Sequence, residues 1–201
     1  MTMRYRIFEP TAEQIEDLLA HAPLGRLVTL GVDGPEVGLL PYVWRNGHIE
    51  IHLNSRDPQL ESLARNSRCS FQVDDPLTPV PSTWVDADDA RFADLLYRAV
   101  TITGNARTGG TKDDLVRHLE ALLNKQQPNS THLRLATNPQ LYDSTIERIT
   151  LIRIPDQQRV AKFRLSQQEP EPTRRIIVER LRERGSDRDL HTATLIESTL
   201  R

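Results

Sequence analysis

Alternating apolar and polar residues between positions 26 and 53 predict a sheet of short antiparallel strands. The clearest alternation covers residues 48–53, where isoleucine and leucine alternate with two histidines and a glutamate, so one face of the strand is apolar and the other polar. Asp33-Gly34 and Asn46-Gly47 separate this strand from its neighbours, and such pairs form tight hairpin turns because glycine readily takes a positive φ. The pattern predicts a meander with strands at Arg26–Val32, Val37–Arg45 and His48–Leu53.

The second strand of this meander is apolar on both faces. One face carries Val37, Leu39, Pro41 and Val43, and the other carries Leu40, Tyr42 and Trp44. We expect such a strand to meet the core of a barrel on one side and a partner chain on the other, since an exposed apolar patch of this kind marks an interface. Proline cannot donate a ladder hydrogen bond, so Pro41 is expected at a sheet edge or a bulge.

Capping residues predict four helices between the strands. Thr11 with Gln14 and Thr111 with Asp114 form capping boxes. A further helix begins at Asp57-Pro58, and the last helix covers about Thr173–Arg184 before Gly185 ends it. Further strands are predicted at 68–73, 97–107, 146–154 and 159–165, with loops at 74–94 and 124–145. Because tight turns join several strand pairs, we predict a mostly β, antiparallel fold with flanking helices.

Composition narrows the class of protein. A chain of 201 residues suits one domain, or one domain with a tail. The formal net charge is −2, so no overall field concentrates nucleic acid or anionic lipid, and any anion site must be local. The single cysteine, Cys69, is interpreted as a buried strand thiol and favours a reducing compartment. Without a signal-peptide pattern or a membrane-spanning apolar run, we expect a cytoplasmic protein with no membrane contact.

The clearest candidate for binding chemistry lies at residues 52–59, where a strand ends and a helix begins. Unpaired amides at a helix start favour an anion. Arg56 adds a guanidinium suited to phosphate, and Asn54 and Ser55 add neutral donors. The alternative is an ordinary strand-to-helix turn with a solvated arginine, which the carboxylate of Asp57 favours because it would repel a phosphate.

Other kinds of site find little support in the sequence. His48 and His52 share a strand face but lie roughly 13 Å apart, too far to share a metal, and the chain has no CxxC pattern and no HxxxH helix. It has no nucleophile elbow, Walker loop or dinucleotide-binding glycine motif. The arginines of the last helix alternate with glutamates, which is typical of a salt-bridged, solvated face rather than of a DNA-reading helix.

One segment connects the chain to a known family. Lys162-Phe163-Arg164-Leu165-Ser166-Gln167-Gln168 resembles the Lys-Trp-Lys-Leu-Ser-Gln-Asn signature of the PaiB family of FMN-binding negative transcriptional regulators. Shorter matches follow the family order along nearly the whole chain: Leu27-Val28-Thr29, Leu40-Pro41, His52-Leu53, Pro58-Gln59, Phe71-Gln72, Pro81-Ser82 with Trp84, and Tyr97 with Gly104. The chain departs from the family pattern at Leu39, Ser55, residues 93–96 and Phe163.

The resemblance implies an FMN-binding split β-barrel that forms a homodimer with FMN at the subunit interface. It places the phosphate at the strand-to-helix segment described above. The cofactor-binding residues implied are Leu40, Pro41, His52, Asn54, Ser55, Arg56, Gln59, Trp84, Lys162, Ser166 and Gln167. We expect residues 1–165 to form the barrel domain, and residues 166–201 to form a C-terminal loop, helix and tail packed on the barrel or on the dimer partner.

The signature segment also has a structural interpretation. Phe163 and Leu165 are expected to anchor the strand in the core, while Lys162 and Arg164 share the opposite face. In the family interpretation these cations lie beside the cofactor. In the alternative they are solvated and pair with Glu169 or Glu171.

The function implied by the resemblance is a PaiB-like transcriptional regulator or sensor. DNA binding follows from the resemblance alone, since neither the net charge nor a groove-reading motif supports it. The alternative is a flavin-dependent NAD(P)H oxidoreductase acting on a small molecule, because a flavin carries the chemistry and needs little from side chains. A haem-binding split barrel with His48 or His52 as ligand is a third alternative.

Overall fold

Residues 6–200 are described by a computed structural model of the protein. They divide into two compact units, each assembled from separate stretches of chain. The terminal unit comprises residues 6–15, 74–100 and 160–200, and the central unit comprises residues 16–73 and 101–159. The expected division of the chain after residue 165 stays a prediction.

The strands within residues 6–200 pair into two antiparallel sheets. They are β1 (Leu24–Leu30), β2 (Pro35–Pro41), β3 (Val43–Arg45), β4 (His48–Asn54), β5 (Arg68–Val80), β6 (Asp94–Asn105), β7 (Arg107–Thr108), β8 (Ile149–Pro155) and β9 (Gln158–Arg164). The five-stranded sheet has the order β2-β1-β5-β6-β9, and the four-stranded sheet has the order β3-β4-β8-β7. The predicted mostly β, antiparallel class is confirmed.

Six α-helices lie in the described part of the chain: α1 (Ala12–His21), α2 (Pro58–Arg65), α3 (Lys112–Gln126), α4 (Pro139–Ile146), α5 (Glu171–Arg184) and α6 (Asp187–Glu197). Shorter 3-10 turns lie at Arg6–Phe8, Ser82–Trp84, Ala90–Phe92 and Leu135–Thr137. Both predicted capping boxes form, since Thr11 with Gln14 and Thr111 with Asp114 exchange side-chain and backbone hydrogen bonds. Gly185 ends α5 with φ at 71°, as predicted. None of the helices described is both long and apolar enough to cross a membrane.

Residues 35–45 form two strands, not the single strand that the sequence predicts. β2 pairs with β1 as far as Pro41, and β3 begins at Val43 and pairs with β4 in the other sheet. Pro41 has no N–H with which to continue a ladder, so the chain leaves the first sheet there. The prediction that Pro41 marks a sheet edge is confirmed, since it is the last residue of an edge strand.

The prediction that a partner chain covers Leu40, Tyr42 and Trp44 is wrong for Tyr42. Tyr42 is fully buried, and its hydroxyl donates to the carbonyl oxygen of Leu19 at 2.8 Å. The indole N–H of Trp44 donates to Glu16, and the Arg159 guanidinium lies over the ring at 5.4 Å. All of these residues belong to the central unit, so the chain itself covers Tyr42 and half-covers Trp44.

Two segments predicted as loops contain regular structure. In the terminal unit β5 continues to Val80, and Leu77, Thr78 and Val80 are buried despite the neighbouring prolines. In the central unit α3 extends to Gln126 and α4 follows it. Leu115, Ile146 and Leu151 join α3, α4 and β8 in one apolar cluster, which holds α3 against the four-stranded sheet.

The C-terminal residues form a helical pair in the terminal unit, where the sequence predicts one helix and a tail. Ser186 and Asp189 form the capping box of α6. The buried guanidinium of Arg174 in α5 donates to two carbonyl oxygens at the end of α6, where exposed carbonyls favour a cation. The other arginines of α5 form the salt-bridged face that the sequence predicts, in the pairs Arg175–Glu171, Arg180–Glu183, Arg182–Glu197 and Arg184–Asp189.

Candidate functional site

The turn between β4 and α2 is closed by its own side chains. The carboxylate of Asp57 caps α2 by accepting from the amide of Gln59 at 2.9 Å. The side chain of Asn54 accepts from the amide of Arg56 at 3.0 Å. Because these amides are already paired, an anion at this turn depends on side-chain donors rather than on the helix start alone.

A cavity of about 510 Å³ opens beside this turn, lined by Asn54, Ser55, Arg56, Glu147 and Arg148. The amide of Ser55 donates to the carbonyl oxygen of Arg148 at 2.8 Å. Neither Arg56 nor Arg148 forms a salt bridge with a carboxylate of residues 6–200. Both guanidinium groups line the cavity, so the site can hold an anion.

Arg148 is a member of this site that the sequence reasoning missed. It reaches the cavity because β4 and β8 pair antiparallel, with Asn54 opposite Ile149. No local motif joins residue 148 to residues 54–56, which lie far from it in sequence. The only usable signal was the predicted strand at 146–154, whose partner the sequence did not indicate.

Gln59, predicted to bind the cofactor, is a buried link between α2 and the first hairpin. Its Nε2 donates to Thr29 Oγ1 at 3.1 Å and to the carbonyl oxygen of Glu36 at 3.3 Å, and 8% of the residue is exposed. A Cβ added to Gly38 would lie 2.5 Å from Oε1 of Gln59. These contacts give Gln59 a role in holding the hairpin against α2.

Two further predicted residues lie at the end of β2. Leu40 and Pro41 are half-buried and pair with Gly25 and Leu24 of β1. They belong to the central unit, together with His52 and the residues of the cavity.

His52 contacts a buried histidine that the sequence reasoning also missed. Nδ1 of His52 lies 2.9 Å from Nε2 of His118 in α3, and the two rings meet edge-on. His118 is fully buried, and its Nδ1 lies 3.7 Å from Oε2 of Glu50. Burial, and then the charge of His118, lower the pKa of His52 to about 4.

Glu50 is the buried acid of this group, with 2% of the residue exposed. Arg45 donates to one of its oxygens, and Arg153 donates to the other at 3.0 Å. His48 also contacts it, at 3.2 Å. Burial alone would raise the pKa of the Glu50 carboxyl, but the contacts with His118, Arg153, His48 and Arg45 hold it far below its usual range. The carboxyl is therefore ionised in the folded protein.

In the terminal unit the signature segment folds back on itself. Oε1 of Gln167 accepts from the amide of Leu165 at 2.6 Å, and its Nε2 donates to the carbonyl oxygen of Phe163 at 2.8 Å. Ser166 lies in the left-handed region with φ at 59°. Its hydroxyl is buried without a hydrogen-bond partner among residues 6–200. Phe163 and Leu165 are buried, as predicted.

The cations of this segment have partners in the terminal unit. Nζ of Lys162 lies 5.3 Å from the centre of the Phe8 ring and 5.7 Å from that of Tyr97. Arg164 pairs with Asp94 at 2.5 Å, whereas the structural alternative expected Glu169 or Glu171.

Trp84, the remaining predicted residue, is half-buried in the terminal unit. The guanidinium of Arg184 lies 4.8 Å from the centre of its ring. Stacking of this kind leaves one face of the indole covered by the chain itself.

Comparison with known protein families identifies the family of this chain. Residues 1–157 match the family model described as "Putative FMN-binding domain", which is well over half of the 201 residues. The chain belongs to this FMN-binding family. A comparison with curated proteins found no match.

Solved structures show the same fold at low sequence identity. The conserved hypothetical protein Rv2991 from Mycobacterium tuberculosis matches with a TM-score of 0.66 and 19% identity, over 85% of this chain and 95% of its own. Flavocytochrome Anf3 from Azotobacter vinelandii matches with 0.64 and 14%, over 81% and 72%. The FAD and heme binding protein from Mycobacterium smegmatis matches with 0.60 and 18%, over 76% and 71%. The fold is the FMN-binding split β-barrel.

Family membership makes FMN the cofactor of this chain, and the cavity beside the β4–α2 turn fits its phosphate. Two guanidinium groups without an acidic partner in residues 6–200, those of Arg56 and Arg148, line the cavity together with Ser55. Planar N–H donors of this kind match phosphate oxygens. Glu147 is the one acid in the lining, so the balance of charge remains positive.

Proposed function

We propose that this protein is a PaiB-like regulator or sensor that holds FMN by its phosphate in the cavity beside the β4–α2 turn. The observation that supports FMN binding in this cavity is the pair of guanidinium groups, Arg56 and Arg148, that line it without a salt-bridge partner in residues 6–200. The regulator or sensor role is proposed from the family resemblance. Bound FMN supplies a ring that accepts and releases electrons. The residues of the chain bind and orient it, and the hydroxyl of Ser55 adds a neutral donor.

Replacement of each arginine tests this proposal. A charge-assisted hydrogen bond contributes about 1.5–3 kcal/mol, which corresponds to roughly a tenfold to hundredfold loss of affinity. Arg56→Ala and Arg148→Ala should each show this loss in an FMN titration followed by flavin fluorescence. Arg107→Ala, at an exposed position of β7, is the matched control and should bind like the wild type. Unchanged affinity in both cavity variants would place the phosphate elsewhere.

In the central unit, Leu40, Pro41 and His52 are proposed to contact the ring of the cofactor, as the resemblance implies. The other residues that the resemblance implies lie in the terminal unit and stay predictions: Trp84, Lys162, Ser166 and Gln167. Among them, the buried hydroxyl of Ser166 has no hydrogen-bond partner among residues 6–200. Gln59 contributes indirectly, by fixing α2 and therefore the turn that carries Arg56.

We also propose a homodimer with FMN at the interface, formed through β2. This strand lies at the edge of the five-stranded sheet, and Val37 and Leu39 on it are 63% and 58% exposed. An apolar, unpaired edge of this kind favours association with a second copy. Leu39→Glu should therefore produce a monomer in sedimentation velocity, while Leu133→Glu, at a similarly exposed leucine, should remain a dimer. A wild-type protein that is monomeric at micromolar concentration would contradict the proposal.

The second candidate function is a flavin-dependent NAD(P)H oxidoreductase acting on a small molecule. The flavocytochrome that shares this fold favours a redox use. The arginines of α5 are paired with carboxylates, which favours this candidate over a DNA-binding regulator. Steady oxidation of NAD(P)H by the FMN-loaded protein would establish the reductase, whereas FMN binding without oxidation favours the sensor. We propose the cytoplasm as the location, since the one cysteine leaves no internal disulfide to form.

A further inference from the structure

Three side chains that phosphate binding does not use form a line at the polar face of β4, two from β4 itself and one from α3. Glu50 is buried, His118 of α3 is fully buried, and His52 is half-buried. Oε2 of Glu50 lies 3.7 Å from Nδ1 of His118, and Nε2 of His118 lies 2.9 Å from Nδ1 of His52. Among residues 6–200, nothing hydrogen-bonds to Nδ1 of His118 or to Nε2 of His52.

The distances restrict where the ring protons lie. Two imidazole nitrogens at 2.9 Å share one hydrogen, so one ring donates and the other accepts. If a neutral His118 donated, its bare Nδ1 would face the carboxylate of Glu50, with lone pair against negative charge. If His52 donates, the single proton of His118 sits on Nδ1 and faces that carboxylate. Electrostatics favours the second arrangement, in which Nε2 of His52 is a bare acceptor.

We propose that Glu50, His118 and His52 form a proton relay whose outer atom is Nε2 of His52. In the resting form of the relay each ring carries one proton, on Nδ1. When Nε2 of His52 takes up one proton, the Nδ1 proton of His52 passes to Nε2 of His118. The pair gains one positive charge, which rests on His118 at 3.7 Å from Glu50. Release follows the same path in reverse, and no other reactant is consumed.

The charged groups around the relay include the carboxylate toward which the added proton moves. Glu50 remains ionised because Arg45 of β3 and Arg153 of β8 bind its two oxygens, and His48 on the same strand contacts it at 3.2 Å. Arg153 also pairs with Asp114 of α3 at 3.1 Å. Asp114 also pairs with Arg117 of α3 at 2.5 Å. Two carboxylates thus face three guanidinium groups, and Glu50 is the carboxylate that faces His118.

The two histidines are not equivalent as sites for the added charge. Burial, and then the charge of His118, lower the pKa of His52 to about 4, so His52 resists becoming an imidazolium. His118 is the ring nearer to the carboxylate. His52 is half-buried whereas His118 is fully buried, so a proton exchanges with the outside through His52.

This arrangement makes His52 the acid–base group, with His118 and Glu50 as positioning residues. The ligand it fits is one that presents a proton-donating or proton-accepting atom to Nε2. His52 lies two residues before Asn54 on β4, so that ligand is the flavin ring or a substrate lying against it. This assignment of the ligand rests on the proposed function, whereas the positions of the protons do not.

The ring protons can be located in flavin-free, ¹⁵N-labelled protein by long-range ¹H–¹⁵N spectra of the histidines. At neutral pH we expect His52 and His118 both to carry their protons on Nδ1. On acidification His118 should become doubly protonated while the proton of His52 moves to Nε2, with one common midpoint. His48→Gln is the matched control, since His48 touches Glu50 but lies outside the relay, and it should leave the protonation of His52 unchanged.

A wild-type spectrum with the proton of His52 on Nε2 at neutral pH would overturn the relay. So would acidification that makes His52, rather than His118, the imidazolium. His118→Phe should return His52 to the tautomer that a free side chain favours, with the proton on Nε2. Because His118 is buried and its replacement also alters packing, the wild-type spectrum decides. The experiment uses flavin-free protein, so its result does not depend on whether FMN binds. The relay and the proposed FMN binding can therefore be refuted independently of each other.

Discussion

Replacement of Glu50 by glutamine tests whether the buried ion pairs of the central unit hold the fold together. The change keeps the shape of the side chain and removes its charge. It leaves Arg45 and Arg153 without the anion that both now contact. It also removes the negative charge that lies 3.7 Å from His118.

The size of the effect follows from the burial of the partners. Removal of one member of a buried ion pair costs about 3–5 kcal/mol. The side chains of Arg45 and Arg153 are 33% and 28% exposed, so water can replace part of the lost contact. We therefore expect a loss near the lower end, about 3 kcal/mol. For a chain of this length that loss lowers the melting temperature by roughly 6–12 °C.

The same substitution changes how stability depends on pH. The pKa of the Glu50 carboxyl in the folded protein lies far below its ordinary value of 4.5. Its stabilisation is therefore complete above that value and is lost progressively as the pH falls below it. In acid the wild type should lose the stabilisation that the Glu50 carboxylate contributes. The glutamine variant lacks this contribution at every pH. The difference in stability between the two proteins should shrink as the pH is lowered.

Urea denaturation followed by tryptophan fluorescence and circular dichroism measures both effects. The matched control is Glu171→Gln, which removes an exposed pair with Arg175 whose side chains are 43% and 59% exposed. That control should cost no more than about 0.5 kcal/mol. The reasoning is refuted if Glu50→Gln is as stable as the control at neutral pH, or if its deficit grows in acid.

Three other substitutions or reagents probe the central unit. Gln59→Leu leaves buried acceptors unpaired and should cost about 1–3 kcal/mol in urea denaturation; an unchanged midpoint would mean that the amide is not needed. Gly104→Ala places a Cβ 2.1 Å from the carbonyl oxygen of Pro155 and should cost at least about 1–3 kcal/mol, so a neutral effect would contradict the close approach. Burial raises the pKa of the Cys69 thiol to about 11, so an aromatic disulfide reagent should label it only on unfolding; rapid labelling of the native protein would refute its burial.

Local signals in the sequence predict the elements well. The capping boxes at Thr11 and Thr111 and the stop at Gly185 depend on neighbours within a few residues, and all three are confirmed. The alternation at 48–53 likewise predicts β4. Such features are decided by backbone geometry and short-range hydrogen bonds, which sequence alone contains.

Contacts between distant segments are where the sequence reasoning stops. His118 meets His52 across 66 positions of chain, and Arg148 joins residues 54–56 only through the pairing of β4 with β8. Single-sequence patterns indicate that a strand exists but not which strand it pairs with. The sequence therefore predicted only one of the two arginines at the anion site: Arg56 was found and Arg148 was missed.

The strand predicted at residues 37–45, which is apolar on both faces, shows a different kind of error. Apolar residues on both faces of 37–45 indicate two covered faces, but not what covers them. Tyr42 is covered by its own chain, through Leu19 and Phe71. Val37 and Leu39, on the edge strand β2, are exposed.

The central claim is that the cavity beside the β4–α2 turn binds the phosphate of FMN. Its most direct test compares FMN with riboflavin, which lacks the phosphate, in isothermal titrations of the wild type and of the Arg56→Ala/Arg148→Ala double variant. We expect the wild type to bind FMN at least about tenfold more tightly than riboflavin, and the double variant to bind the two equally. A double variant that keeps the preference for FMN would contradict it, and so would a wild type with no preference.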